Sequence, residues 1–260
     1  MSFISTAPER LTYFDLQLGQ PDWQGRKVLD FGGNKGALLS GGKIEERNYW
    51  CIDVSRDAIA QGKREYPRAH WILYDRYNFA FNPTGVPGLA VPLLQERFDF
   101  ILVYSVFTHT SRAEMLELVD VLRNLLLENG TLAFTFKDPH CVLPQGYSPL
   151  CRMHSHPTNL CLRLETVRQQ NPFLPVERML AEGSGSEWCT LVNEDLYIEH
   201  ENLRHYDIEE RKRYDVFHTV RFMNKAFPDG VIKFSPGDYD PGGGEIQHCC
   251  VLRGRAGTSR

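Results

Sequence analysis

Three glycines set between two acids constrain this chain more than any other feature of it. Gly32, Gly33 and Gly36 follow an apolar run at residues 27–31, and Asp53 closes a second run at residues 49–53, 20 residues after Gly33. Glycine removes the side chain where a backbone must turn sharply and come close to a ligand. A helix after such a turn would aim its N–H groups at that ligand. An acid at the tip of the second strand is placed to accept two hydrogen bonds from a ribose diol, the logic of dinucleotide sites. The glycine spacing is not the dinucleotide one, however. G-x-G-x-x-G needs offsets 0, 2 and 5, whereas Gly32 and Gly36 stand at offset 4 behind Asp30. An acid inside the turn suits a cation and repels a pyrophosphate. The pattern points to a nucleoside that carries an amino group and no phosphate.

The rest of the first half alternates short apolar runs with helical patterns, as a parallel α/β sheet does. Residues 71–74 predict a third strand ending at Asp75, and residues 98–104 a fourth, nearly all apolar. A strand covered on both faces reads that way. Ser55 predicts a cap for a helix running to about Tyr66, before Pro67. Ser111 and Glu114 form a capping box ahead of a helix that Asn129-Gly130 should end. A fifth strand follows at 131–136. Residues 79–95, with three prolines and two glycines, predict a loop. Residues 138–215 lack clean alternation and are too long for a plain connection, which suggests an inserted cap. A short helix from Thr219 and two strands at 231–234 and 245–252 close the chain. Strands joined by a loop alone pair antiparallel.

These motifs together resemble the class I S-adenosylmethionine-dependent methyltransferases. Residues 28–36, VLDFGGNKG, are similar to the family's first motif, and 51–55, CIDVS, to its ribose-binding acid. Residues 98–109 are similar to its fourth strand and the turn lining the cofactor, and 130–134 to its fifth strand. The resemblance covers roughly 25–137 and 216–253. It implies an α/β fold with a Rossmann-like, seven-stranded, mostly parallel sheet and a C-terminal antiparallel hairpin. The chain then reads as one domain over 1–260, with 138–215 as a substrate-binding cap. It further implies S-adenosylmethionine as cofactor, held by Asp30, Gly32, Gly33, Asn34, Gly36, Asp53 and Val54. Asp75 and Arg76 fall at the adenine, and Ser105 and Val106 line the site. The implied reaction is in-line displacement on an activated methyl, for which the protein aligns the nucleophile and excludes water.

Two histidines are candidate bases. His109 follows the fourth strand, where capping the turn is the commoner job, and His218 precedes the late helix at the cleft mouth. For Asp75 a solvated turn and an adenine contact weigh nearly equally. Cys151, His154, His156 and Cys161 hold zinc-type donors at no standard spacing, so no metal is expected. The position just after strand four, where catechol-type relatives carry metal-binding acids, holds Tyr104-Ser105.

Charge narrows the acceptor. A formal net charge of -4 argues against a mainly electrostatic grip on nucleic acid. Ser105-Val106-Phe107-Thr108 stands where base-modifying relatives carry an Asn/Asp-Pro-Pro-aromatic turn. The expectation is methyl transfer to an oxygen or nitrogen of a small-molecule biosynthetic intermediate. The alternatives are a protein or RNA acceptor, or an inactive cofactor-binding module. With no apolar run of membrane length, no leader pattern and seven scattered cysteines, the expected partner is a small molecule in the cytoplasm, with no membrane. The oligomeric state stays open.

Overall fold

The computed structural model describes residues 7–78, 81–136, 218, 220–234 and 247–255. The expected cap at 138–215, with its cysteines and histidines, lies outside them.

Seven strands form one sheet in the order β3-β2-β1-β4-β5-β7-β6. They are β1 (Val28–Phe31), β2 (Tyr49–Asp53), β3 (His70–Leu73), β4 (Phe98–Val103), β5 (Leu126–Phe136), β6 (Val231–Lys233) and β7 (His248–Arg253). The first five run parallel, and β7 is antiparallel to both β5 and β6. This is the mostly parallel sheet with a closing antiparallel hairpin that the sequence predicts. Every residue of β1 and β2 is buried, as a strand covered on two faces requires. β1 lies between β2 and β4, so the strand order reverses there. Ligands of open α/β sheets sit outside the carboxyl ends of the strands at such a switch point.

Two cores cover the two faces. One face packs against α3 (Arg112–Arg123) and α4 (Val220–Ala226) through Met115, Leu118, Leu122, Phe222 and Met223. The other packs against α1 (Ala7–Leu18) and α2 (Arg56–Glu65) through Leu11, Phe14 and Ile59. The expected caps are present. Ser55 Oγ accepts from Ala58 N at 3.3 Å, and Ser111 and Glu114 close a reciprocal box. No helix among the described residues is long and apolar enough to cross a membrane.

Three local expectations are corrected. No α-helix follows the glycine turn. Asn34 and Gly36 take left-handed φ of 54° and 91°, Gly41-Gly42 comes soon after, and only a 3-10 turn at Leu39–Gly41 forms. The expected helix dipole is therefore missing from the site. The helix behind Ser111 stops at Arg123 and does not run to Asn129, because Leu126 already pairs with Phe98 in an irregular start to β5. The sequence reading also passed over α1. Leu11, Phe14 and Leu18 share one face of it, yet Tyr13, Asp15 and Gln17 are buried as well, which breaks the apolar signal.

Candidate active site

The carboxyl ends of β1, β2 and β4 converge on the glycine turn. Gly32 N–H donates to Ile52 O at 2.7 Å, binding the turn to β2. Gly32 has φ +77°, and a Cβ there would lie 2.2 Å from Val106 Cγ2. The turn after β4 thus rests directly on the glycine backbone. At Gly33 a Cβ would come within 2.5 Å of the Asp30 carboxyl, so the carboxylate fills the space a side chain would need. Gly36 faces away from that wall, against Trp71.

Asp30 therefore lies beneath the turn, 3% exposed, and is not at its open surface. Tyr49 Oη–H donates to its Oδ2 at 2.6 Å. Burial pushes the Asp30 carboxyl up to about 7; the tyrosine bond and the Arg10 charge oppose this, and Asp53 adds to it. Asp53 caps the neighbouring strand. Its two oxygens accept from Asn34 N at 2.8 Å and Ser55 N at 2.7 Å. Burial raises its carboxyl too, against those two bonds. Asn34 owes its left-handed backbone to this clamp, and its own Oδ1 accepts from Lys35 N at 2.8 Å. Val54 is half-buried against the main core.

Arg10 of α1 completes the cluster. Its guanidinium lies 5.3 Å above the Tyr104 ring, and its charge reaches both Asp30 and Asp53. It forms no ion pair among the described residues, and its buried Nε has no hydrogen-bond partner. A guanidinium presents a planar fork of donors that matches a carboxylate. Sequence reasoning missed Arg10 and Tyr49. Recognising α1 as a helix would have raised Arg10, and Tyr49 had no signal beyond opening the second strand.

The remaining expected residues divide. Ser105 and Val106 stand at the wall facing the glycines, Ser105 with a left-handed φ of 58°. Asp75 is exposed on a loop, where its Oδ1 accepts from Asn82 at 3.1 Å. Arg76 is turned into the protein. Its guanidinium is bidentate on Glu117 at 2.9 and 2.9 Å and also meets Glu114, Tyr74 Oη and Leu89 O. An adenine contact from Arg76 does not fit, because its terminal nitrogens are already taken. His109 packs edge-on against Phe81 at 5.1 Å. His218 is fully buried and stacks on Phe222, and burial with the nearby Arg112 charge lowers it to about 3. At neutral pH it is an uncharged and weak proton acceptor, poorly matched to general-base work.

Residues 29–132, which hold the glycine turn and both acids, match the family model of the methyltransferase domain. Among solved structures, the CcbJ methyltransferase from Streptomyces caelestis is 16% identical at a TM-score of 0.38, covering 53% of this chain and 54% of that one. A TehB-like SAM-dependent methyltransferase from Corynebacterium glutamicum is 20% identical at 0.36, covering 50% and 62%. DesVI from Streptomyces venezuelae is 13% identical at 0.38, covering 56% and 55%. The chain thus spans little more than half the length of these proteins. Within the matched stretch, both acids and all three glycines of the expected site meet at one end of the sheet. Arg76 instead joins the loop after β3 to α3, and His109 ends the turn after β4 against Phe81.

Proposed function

We propose that the protein binds S-adenosylmethionine in the crevice between the glycine turn and the Ser105-Val106 wall. It transfers the methyl group to an oxygen or nitrogen of a small-molecule acceptor. The observation that carries this reading is the pair of buried carboxylates, Asp30 and Asp53, clamped around the glycine turn, with the charge of Arg10 reaching both and its buried Nε without a hydrogen-bond partner among the described residues. A ligand with a diol, an ammonium and a carboxylate complements all three. Asp53 spends one lone pair of each oxygen on backbone N–H groups and keeps others for two ribose hydroxyls. Arg10 offers its fork to the ligand's carboxylate, and Asp30 lends negative potential from under the turn to its ammonium.

When bound, S-adenosylmethionine supplies a methyl group already activated on a sulfonium. The chain's part is alignment. Val106 and the glycine backbone fix the width of the crevice, and the dry floor around Asp30 and Tyr49 keeps the electrostatics strong. The net charge of -4 and the absence of the base-modifier turn after β4 favour a small acceptor over nucleic acid. Residues 138–215 supply the acceptor-binding cap in this reading. A cytoplasmic setting keeps the buried thiols of Cys51, Cys249 and Cys250 reduced.

Calorimetric titration of S-adenosylhomocysteine into the wild type and Asp53→Ala tests the reading. The expected result is micromolar binding that weakens at least about tenfold in the variant, since a charge-assisted hydrogen bond contributes about 1.5–3 kcal/mol. A wild type with neither heat of binding nor thermal stabilisation would overturn the cofactor assignment.

A further inference from the structure

A buried polar network lies behind the Ser105 wall, and nothing in the cofactor site as described requires it. Ser105 N–H donates to Thr135 Oγ1 at 2.7 Å, and Thr135 Oγ1 donates in turn to Gln247 Oε1 at 2.5 Å. Gln247 Nε2 closes the circuit on Ser105 Oγ at 3.0 Å. Thr108 Oγ1 holds the same serine from the other side, 3.1 Å from its Oγ and 3.0 Å from its carbonyl. Thr108 and Thr135 are fully buried and Gln247 is 7% exposed. The network thus ties the turn after β4 to β5 and to the residue that precedes β7.

Its geometric consequence falls on one backbone. Ser105 is not a glycine, yet it sits at φ 58°, a region that non-glycine residues enter at a cost. The four contacts on its N–H, Oγ and carbonyl hold it there. The next residue, Val106, is the one whose methyl group occupies the space over Gly32. If Ser105 relaxed to an ordinary backbone conformation, Val106 would swing away from the glycine turn. Gln247 acts on the opposite wall as well. Its backbone carbonyl accepts from Tyr13 Oη–H at 2.7 Å, and Tyr13 lies one helical turn after Arg10 on α1.

We infer that Gln247 and Thr135 are positioning residues for cofactor binding. Through Ser105 they set Val106 against Gly32, and through Tyr13 Gln247 steadies the helix that carries Arg10. Neither residue need touch the ligand. The inference rests on the S-adenosylmethionine reading above and adds residues outside the matched family region to the site.

The test separates the hydroxyl from the packing. Thr135→Val keeps the shape and removes the hydroxyl; Thr135→Ser keeps the hydroxyl and removes the methyl. Gln247→Met keeps length without polarity. S-adenosylhomocysteine is titrated into each protein well below its own melting temperature. Thr135→Val and Gln247→Met are each expected to weaken binding about tenfold, and Thr135→Ser to stay within about twofold of wild type. A packing role predicts the reverse for the threonine pair: a lower melting temperature in Thr135→Ser with affinity unchanged in all three. Affinities within about twofold across the set would overturn the proposal while leaving the cofactor reading standing. If Gln247→Met does not fold, the threonine pair alone decides. A wild type that takes up no S-adenosylhomocysteine overturns the cofactor reading and this proposal with it.

Discussion

At the ends of β1 and β2, Asp30 and Asp53 are buried with no cation within ion-pairing distance among the described residues. One strand further along the same edge, Arg76 is equally buried, but Glu117 and Glu114 fill its fork. Burying a charge is costly unless partners compensate. The Arg76 cluster is compensated from within the chain, and that is the mark of a structural joint: it pins the loop after β3 to α3. The Asp30–Asp53 cluster is compensated only in part, by a phenol and two amides. What is left over is negative potential facing the glycine turn, with Arg10 near it, its buried Nε without a hydrogen-bond partner among the described residues. A ligand can supply the missing partners at the first cluster, whereas at the second the charge is already matched and only the buried Arg76 Nε lacks a hydrogen-bond partner among the described residues.

The two clusters should respond to pH with opposite signs, and here the largest effect is expected. The Asp30 carboxyl sits at about 7 in the fold against 3.8 ordinarily, so the folded state binds more protons in that window. Its stabilising contribution is complete below pH 3.8 and is lost as pH rises through 7, with a slope approaching ~1.4 kcal/mol per pH unit. Glu117 is shifted the other way, held low by Arg76, so its contribution is present above its ordinary value of 4.5 and lost as pH falls. Urea unfolding between about pH 5 and pH 8 should show Asp30→Asn gaining on wild type as pH rises. Glu117→Gln should show no such gain. Parallel curves for Asp30→Asn and wild type would remove the claim that the first cluster is under-compensated.

Arg76→Ala comes next. It leaves Glu117 and the Tyr74 oxygen without their donor and takes one of two donors from the Leu89 carbonyl, which keeps the Tyr74 hydroxyl. Because Glu117 is half-exposed and water re-solvates part of it, the expected loss is about 2–4 kcal/mol of stability, below the upper range for a fully buried pair. Arg76→Lys should recover little, since one ammonium cannot span those acceptors. Binding of S-adenosylhomocysteine to the folded fraction should not change. A variant of normal melting temperature with tenfold weaker binding would return Arg76 to the cofactor site, where the sequence motif alone had put it.

That reassignment marks what a sequence can carry. The sheet was legible because its strands are apolar runs bounded by breakers; β2 falls at 49–53 both as read and as observed. The glycine turn and Asp53 were legible because close backbone approach demands particular residue types at fixed spacing. Arg76 was misread because its position after the third strand is shared by ligand contacts and structural joints. What separates them is Glu117, 41 residues away in sequence. Arg10, Tyr49 and Gln247 were invisible for a related reason. Each acts through residues on another element, and the partners of Gln247 lie 112, 142 and 234 residues off.

Arg10→Ala sharpens the first cluster from the ligand's side. The variant loses the guanidinium, whose Nε has no hydrogen-bond partner among the described residues, together with its contact over the Tyr104 ring. S-adenosylhomocysteine affinity should fall about tenfold, the scale of one charge-assisted contact. Methylthioadenosine, which has the nucleoside but no amino-acid end, should bind wild type and variant alike. Equal losses for both ligands would mean that Arg10 supports the fold of α1, and the carboxylate assignment would go.

The smallest effect is expected at His109, one of the two histidines that the sequence offers as candidate bases. Its ring meets Phe81 edge-on, whereas the bond that ties it to the loop after β3 runs through its backbone: Asn78 Nδ2 donates to the His109 carbonyl at 3.0 Å. His109→Ala keeps that carbonyl and removes the ring that meets Phe81, an aromatic contact of about 0.5–1.5 kcal/mol. The ring belongs to the compensated side of the comparison, so S-adenosylhomocysteine affinity should stay within about twofold of wild type across neutral pH. A variant whose binding loses a pH dependence that the wild type shows would place the imidazole against the ligand after all. The boundary drawn here between the ligand cluster and the structural joint would then have to move to include the turn after β4 as far as residue 109.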